Sequence, residues 1–102
     1  MHIRGKVEKP AENIVEIRID GVLDLHAFQP RDVKYLVPDY LAECRRRSIL
    51  EVRLIHGKGT GSLRRTVQAI LKRLPAVRSF RLADEKGGSW GATIVTLHPE
   101  NR

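Results

Sequence analysis

The segment from Leu50 to Arg73, LEVRLIHGKGTGSLRRTVQAILKR, contains in succession the three patterns that decide the fold. Its first six residues, Leu50–Ile55, are rich in apolar side chains and predict a central β-strand. The glycine-dense stretch His56–Gly61 predicts a loop, and a helix is expected to begin near Ser62. In that helix the apolar residues recur at helical spacing and the basic residues fall between them. A strand that leads through a tight loop into an amphipathic helix predicts an α/β domain.

Two further strands are predicted before this segment. Apolar and polar residues alternate over 14–19, which predicts one strand, and Asp20-Gly21 is a turn signal. The alternation resumes in Leu23-Asp24-Leu25-His26 and predicts a short strand whose apolar side chains point inward. Asp24 and His26 are then expected together on the opposite face of that strand.

A first helix is expected between these strands and the strand that begins at Leu50. Pro30 suits the first turn of this helix. Pro38 within it removes one backbone hydrogen bond and predicts a bend near Lys34. Its apolar stripe consists of Val33, Leu36, Val37, Tyr40, Leu41 and Cys44. Because Cys44 lies on this stripe, we interpret it as a packing residue rather than a nucleophile.

The last part of the chain predicts a β-hairpin. Strands are expected over Val77–Ala83 and Ala92–Leu97, joined by a turn at Gly87–Gly91. Trp90 in this turn could stack on a base, although such a ring more often covers the edge of a core. Each strand–helix–strand step favours parallel strands and a right-handed crossover. The sequence therefore predicts an α/β fold with a βαβαβ core, in which two helices cover one face of a mixed four- to five-stranded sheet.

The composition indicates one small globular domain. The chain has 102 residues, of which 41% are hydrophobic, and a core of this size needs no disulfide or metal. No apolar run approaches the roughly 18 residues of a membrane span, and no secretory signal is recognisable. We therefore expect a cytoplasmic protein with no membrane partner. Residues 1–12 show no periodicity and are expected to form an N-terminal extension, followed by the domain at 13–99 and a tail at 100–102.

Positive charge is concentrated in the second half of the chain. From Arg45 to Arg81 there are eleven lysines and arginines against one acidic residue, Glu51, so this segment carries +10. The whole chain carries +7, and the remainder is therefore mildly acidic. Such an uneven distribution favours a polyanionic partner such as nucleic acid, with a merely basic soluble surface as the alternative.

Two histidines occupy equivalent places in the predicted fold. His26 and His56 each end a strand and precede a helix, so parallel neighbouring strands would bring them side by side at the sheet edge where ligands bind. Histidine is suited to proton transfer near neutral pH, and Asp24 could fix the tautomer of His26. The alternative is that His26 is a polar strand-end residue and that His56 satisfies backbone groups in its loop.

The glycine-rich loop predicts an anion site. Glycines let a phosphate approach the backbone closely, and the helix that follows offers unpaired N–H groups. The candidate phosphate-binding residues are Gly57, Lys58, Gly59, Thr60, Gly61, Arg64 and Arg65. We prefer this interpretation to a turn that needs glycine for its geometry alone. The loop is neither a Walker loop nor a full dinucleotide motif, because Ser62 stands where the third glycine of G-x-G-x-x-G belongs.

These residues together resemble a known family. Leu23-Asp24-Leu25-His26, followed some thirty residues later by IHGKGTGSLR at 55–64, resembles the Smr (small MutS-related) domain. The Gly87-Gly88 turn and the strand at 91–95 are similar to the end of that domain, so the resemblance covers about 20–98. It implies a two-layer α/β sandwich, similar to the C-terminal domain of a translation initiation factor. It also implies a stand-alone member of the family, with an endonuclease-type activity that nicks DNA or cleaves RNA.

The resemblance also implies site residues. In that family the LDxH and HGxG motifs are the functional ones, which correspond here to Asp24, His26, His56, Gly57 and Gly59. Ala27 departs from the glycine that the family usually has after the first histidine. Pro38 in the first helix and Ser89 in the last turn are further departures. None of the three replaces a candidate acid or base.

The leading hypothesis is a domain that binds RNA or DNA and cleaves its phosphodiester backbone. The expected catalytic residues are Asp24, His26 and His56, with His26 as general base or acid. In RNA the 2′-hydroxyl can be the nucleophile, so that no cofactor is needed, whereas DNA would need an activated water and a divalent ion such as Mg or Mn. The alternative is a non-catalytic module that binds RNA or branched DNA. Oligomeric state is left open.

Overall fold

The computed structural model describes residues 4–8, 14–83 and 91–100. The strands are β1 (Arg4–Glu8), β2 (Ile14–Arg18), β3 (Val22–Asp24), β4 (Glu51–Ile55), β5 (Val77–Leu82) and β6 (Ala92–Leu97), and the helices are α1 (Val33–Arg46) and α2 (Ser62–Arg73). Two short 3-10 turns, Leu25–Ala27 and Pro30–Asp32, lie between β3 and α1. Within the described ranges no helix is long and apolar enough to span a bilayer.

Four strands form one mixed sheet in the order β3-β4-β6-β5. The strands β3 and β4 are parallel because α1 carries the chain back between them, and β6 is antiparallel to both of its neighbours. The apolar stripes of both helices join the sheet residues Val52, Leu54 and Val95 in one core. The predicted α/β fold with two helices and a mixed sheet is confirmed, with four strands, and so is the antiparallel pairing of the last two strands.

The amino-terminal part differs from the expectation. No strand was predicted within the extension at residues 1–12, yet it contains β1, which pairs antiparallel with β2 in a separate two-stranded sheet. The alternation at 14–19 predicted a strand correctly, but alternation does not tell which strand is its partner. Ile17 and Ile19 are buried in the main core. The division of the chain at residue 13 stays a prediction.

The short strand before α1 ends earlier than predicted. β3 stops at Asp24, and Leu25–Ala27 turn into a 3-10 helix, so His26 is not on a strand. The cause is local, because the Asp24 carboxylate accepts a hydrogen bond from the His26 backbone N–H at 2.9 Å and caps the turn. Leu25 nevertheless remains in the core, as the alternation predicted.

The helix α1 runs through Pro38 and buries the predicted stripe, including Cys44. Burial raises the pKa of the Cys44 thiol from 9.0 to about 11, which supports the interpretation of a packing residue. The Tyr40 hydroxyl accepts a hydrogen bond from Gly21 N–H at 3.0 Å and donates to the Val22 carbonyl at 3.2 Å. α1 is thereby tied to the turn that leads into β3. The bend expected near Lys34 stays a prediction.

Candidate functional site

The two histidines lie at one edge of the sheet. β3 and β4 are parallel neighbours, and Asp24 pairs with Ile55 at their carboxyl ends. Beyond this pair the chain turns at His26, and the His26 ring lies against Gly57. The shared edge was predicted correctly. Both histidines line the cleft at this edge, but the two rings differ, because His26 is exposed and His56 is buried.

His26 is the exposed member of the pair. Its Nδ1 donates to Asp24 Oδ1 at 2.8 Å, and the same oxygen accepts the backbone N–H of His26. Because a carboxylate can only accept, this contact places the ring proton on Nδ1 and leaves Nε2 as the free acceptor of the neutral ring. The side chain is 58% exposed and lines a cleft of about 380 Å³ in front of α2. Asp24 therefore orients an imidazole whose Nε2 is available for proton transfer.

His56 is buried, with an exposed fraction of 5%. Its Nδ1 donates to the Gly57 carbonyl at 2.9 Å, and its Nε2 accepts from the Thr93 hydroxyl at 2.8 Å. Both ring nitrogens are thus occupied by protein groups, as the alternative interpretation of a loop histidine proposed. The period-two pattern of β4 explains this orientation, because His56 continues the buried face of Val52 and Leu54.

Gly57 is the point where the loop meets His26. A Cβ atom placed on Gly57 would lie 2.5 Å from His26 Nε2, and the residue has a φ of +80° that favours glycine. Its backbone N–H donates to the Gly91 carbonyl at 2.8 Å, as does that of His56 at 2.9 Å. The N–H of Gly57 is therefore already bonded to Gly91, the residue before β6, and is not available to an anion. Because Gly57 has no side chain, it leaves room in the cleft for the His26 ring.

The start of α2 carries the backbone amides of the candidate anion site. The helix is preceded by Gly61, which has a φ of +86° and no side chain to cap the first turn. The first N–H groups of a helix have no partner within it, and here the first-turn residues Leu63 and Arg64 line the cleft. The Thr60 hydroxyl accepts the Ser62 N–H at 3.3 Å. The positive end of α2 thus faces the same space as His26.

Three cationic side chains surround this loop. Lys58 and Arg64 line the cleft, whereas Arg65 lies on the outer side of α2. The guanidinium groups of both arginines approach Gly61, since a Cβ atom placed there would lie 3.1 and 3.2 Å from them. The structure therefore brings together all the predicted phosphate-binding residues, although Arg65 faces a different surface.

The donor set near the cleft does not form a metal cluster. Over the ranges 4–8, 14–83 and 91–100 there is no group of three or more histidine, cysteine, aspartate or glutamate side chains that could hold an ion. Asp24 Oδ1 is already occupied by two hydrogen bonds from His26. A divalent ion held by several protein ligands does not fit this arrangement.

One contact of the site had no local signal in the sequence. Thr93 is 37 residues from His56 along the chain, and only the pairing of β4 with β6 brings them together. Ala27, which stands in place of the family's glycine, is not among the described residues with positive φ, so alanine fits its backbone without strain. Trp90 and the turn before it lie outside the described residues.

The comparisons with known proteins agree with this geometry. A family model described as the Smr domain matches residues 23–98. The endonuclease MutS2 of Clostridium tetani is 37% identical over 79 residues, which are 78% of this chain and 10% of the relative. The endonuclease MutS2 of Clostridium perfringens strain SM101 is 34% identical over 92 residues, which are 90% of this chain and 12% of the relative. The chain thus spans about a tenth of the length of the curated relatives it matches.

Solved structures show the same fold. The Smr domain of Thermus thermophilus MutS2 has a TM-score of 0.73 and 35% sequence identity, covering 78% of this chain and 100% of that chain. YdaL, a stand-alone small MutS-related protein from Escherichia coli, has a TM-score of 0.69 at 23% identity, covering 76% of this chain and 64% of that chain. The family model covers both histidine motifs and most of the sheet. This chain belongs to the Smr domain family.

Proposed function

We propose that this Smr domain binds nucleic acid and cleaves its phosphodiester backbone at the cleft between His26 and the start of α2. The observation that carries the proposal is the placement of an Asp24-oriented imidazole beside the glycine loop and the positive end of a helix. The names of the MutS2 relatives, which are endonucleases, support the same reaction class. The cluster of cations around the loop supports a polyanionic substrate.

Binding of the scissile phosphate is assigned to the loop and α2. The N–H groups of the first turn of α2, which includes Leu63 and Arg64, have no partner within the helix, and the helix dipole favours an anion there. Lys58 and Arg64 add charge on the rim of the cleft. These groups stabilise the extra negative charge that develops on the phosphoryl oxygens during cleavage.

Proton transfer is assigned to His26. With RNA, Nε2 accepts the proton of a 2′-hydroxyl, and the 2′-oxygen attacks the adjacent phosphorus. The bond from phosphorus to the 5′-oxygen breaks, and that oxygen takes a proton from solvent, giving a 2′,3′-cyclic phosphate and a 5′-hydroxyl end. With DNA, a water molecule gives its proton to Nε2 and its oxygen attacks phosphorus, one of the two ester bonds to phosphorus breaks, and the leaving oxygen takes a proton from solvent. Asp24 is a positioning residue in both cases, because it keeps Nε2 as the acceptor.

His56 has a different part from the one first expected. Both of its ring nitrogens are bonded within the protein, so it cannot exchange a proton with substrate unless the loop opens. It instead holds the Gly57 carbonyl and thereby the conformation of the glycine loop. We therefore propose His56 as a positioning residue.

A non-catalytic binding module is the second candidate function. The observation that favours it is that His56 lines the cleft with both ring nitrogens bonded to protein groups, so that, of the predicted pair, His26 alone offers a ring nitrogen to a ligand. In this case His26 and Lys58 would contact a phosphate backbone without cleaving it. Binding and cleavage therefore have to be measured on the same protein.

The test is incubation of the purified protein with labelled RNA and DNA, with and without a chelator. We expect the wild type to cleave at least one of these substrates. In His26→Ala the rate constant for cleavage should fall by about 10²- to 10⁴-fold, the usual contribution of a general acid or base, while the affinity for the substrate is largely kept. His98→Ala, which removes an exposed histidine outside the cleft, is the matched control. If the protein binds these substrates and cleaves none of them, the domain is a non-catalytic binding module. If His26→Ala cleaves as fast as the wild type, His26 is not the general base.

A further inference from the structure

The outer side of α2 carries positive charge that the cleft does not use. Arg65, Lys72 and Arg73 are exposed there and border one shallow groove together with Gln68 and Ala69. We call these three cations the α2 basic face. In the described part of the chain none of them lies within 4.0 Å of a carboxylate, whereas Arg46 and Arg47 of α1 are paired with Glu43.

This surface is continuous with the cleft. A second groove, between α1 and α2, is bordered by Lys34, Thr66, Ala69 and Arg73. Thr66 also lines the His26 cleft, and Ala69 and Arg73 also border the α2 basic face. A polyanion held in the cleft can therefore continue along α2 without crossing an acidic surface of that helix, which has four cations and no acidic residue.

The spacing along α2 suits a regular phosphate backbone. Positions 65, 69 and 73 recur every four residues and lie on one side of the helix. At 1.5 Å per residue, Arg65 and Arg73 are separated by about 12 Å along the axis. Phosphates of one strand of a duplex follow each other at about 3.4 Å along its axis, so this length spans several of them.

The composition of this face favours paired bases over unpaired ones. Surfaces that hold single strands combine cations with aromatic rings on which bases stack. α2 has no aromatic residue, and among the residues that the structure describes none that borders either groove is aromatic. Helix-dipole stabilisation would explain Lys72 and Arg73 in the last turn. It does not explain Arg65 in the first turn, where a cation is unfavourable.

We infer that the α2 basic face binds the phosphate backbone of a base-paired segment that flanks the strand held in the cleft. The inference rests on the proposed function for the strand that enters the cleft. The contacts are with phosphates, so they are the same in kind for an RNA or a DNA duplex. The domain would then select a scissile site that lies next to a duplex.

The experiment measures binding by fluorescence anisotropy over a range of salt concentrations, with a chelator present. The probes are an unpaired oligonucleotide and the same oligonucleotide extended by a hairpin duplex, each made in RNA and in DNA. The test variant is Lys72→Gln/Arg73→Gln, which leaves the cleft residues intact. The matched control, Arg53→Gln/Arg81→Gln, removes two charges from strands β4 and β5, at positions that both pair with Ile94. Thermal unfolding verifies that each variant is folded.

For the wild type we expect the duplex extension to tighten binding at least tenfold in RNA or DNA. The test variant should lose most of this gain, and its slope of log affinity against log salt should fall by about 2, one for each lost phosphate contact. The control variant should keep the gain. The inference is overturned if the duplex adds nothing in either chemistry, or if the test variant keeps the gain. His26-dependent cleavage is scored separately, so either proposal can fail alone.

Discussion

At the scale of single residues, the site consists of one exposed imidazole and one buried imidazole with different tasks. His26 is held by Asp24 and exposes Nε2, whereas His56 is held by Gly57 and Thr93 and exposes neither nitrogen. The sequence predicted the pairing of Asp24 with His26, because two residues of spacing bring them together locally. It also contained the signal for the burial of His56, in the period of β4. The hydroxyl of Thr93 could not be predicted, since its contact depends on strand pairing.

Asp24→Asn tests the orientation of His26. The amide can still accept from Nδ1–H, but it lacks the charge that stabilises an imidazolium and can also present its NH₂ group. We expect the rate constant for cleavage to fall by about 10²-fold or more with little change in KM, and the pH profile to shift. Steady-state kinetics across pH measures this. An unaltered rate and pH profile would show that Asp24 does not position the ring.

Gly57→Ala tests the close approach between the loop and His26. The new Cβ would lie 2.5 Å from Nε2, so the ring must leave its position. Gly59→Ala is the matched control, because φ is also positive there and no atom lies within 4 Å of the added Cβ. Each variant should lose about 1–2 kcal/mol of stability to backbone strain. Only Gly57→Ala should displace the His26 imidazole resonances in NMR spectra, and equal displacement in both variants would contradict this account.

Thr93→Val tests the buried contact with His56. The variant keeps the shape of the side chain and leaves His56 Nε2 without its donor, which costs about 1–3 kcal/mol. Thr93→Ser should restore most of the loss because it retains the hydroxyl. Urea unfolding measures stability, and the ¹⁵N shifts of the His56 ring report its tautomer. A valine variant with unchanged stability and ring shifts would mean that the contact does not fix the loop.

At the scale of elements, periodicity predicted most helices and strands but not their ends. α1, α2 and β4 follow the predicted patterns closely, because each buries one side in the main core, and β6 is apolar throughout because both of its faces are buried. β3 is shorter than the strand that the alternating pattern predicted, because the Asp24 carboxylate accepts a hydrogen bond from the backbone N–H of His26 and starts a turn there. β1 was missed because its sequence shows no alternation. Its partner, β2, lies within the same hairpin rather than in the main sheet.

Two buried titratable side chains of α1, Tyr40 and Cys44, predict how the stability of the fold changes with pH. Burial raises the pKa of both Tyr40 and Cys44 above their ordinary values of 10.0 and 9.0. The unfolded chain therefore releases these protons at lower pH than the folded one, so stability is complete below about pH 9 and falls as pH rises further. Urea unfolding from pH 7 to 11 should show this fall.

Tyr40→Phe separates the contribution of the phenol. The variant removes one titrating group, so its stability should fall less steeply above pH 9 than that of the wild type. At pH 7 it should be less stable by about 1–3 kcal/mol, because Gly21 N–H and the Val22 carbonyl lose their partner. Tyr35→Phe, on the exposed side of α1, is the matched control. Equal pH slopes in wild type and Tyr40→Phe would contradict the assigned cause.

At the scale of the whole molecule, the sequence predicted the architecture because each strand–helix–strand unit has one favourable handedness. It also predicted which edge carries the chemistry, because the ends of parallel strands meet there. The charge distribution is consistent with the geometry, since the basic half of the chain supplies β4, the glycine loop and α2. Salt should accordingly weaken nucleic-acid binding steeply.

The central claim is that one phosphate of a nucleic acid lies between His26 and the first turn of α2. The most direct measurement is an NMR titration of the ¹⁵N-labelled protein with a short DNA oligonucleotide in the presence of a chelator. The largest changes are predicted for the amides of residues 58–64 and for the His26 ring, and Lys58→Ala should weaken the binding that causes them. Changes confined to the sheet face around Arg53 and Arg81, with residues 58–64 unmoved, would contradict the account.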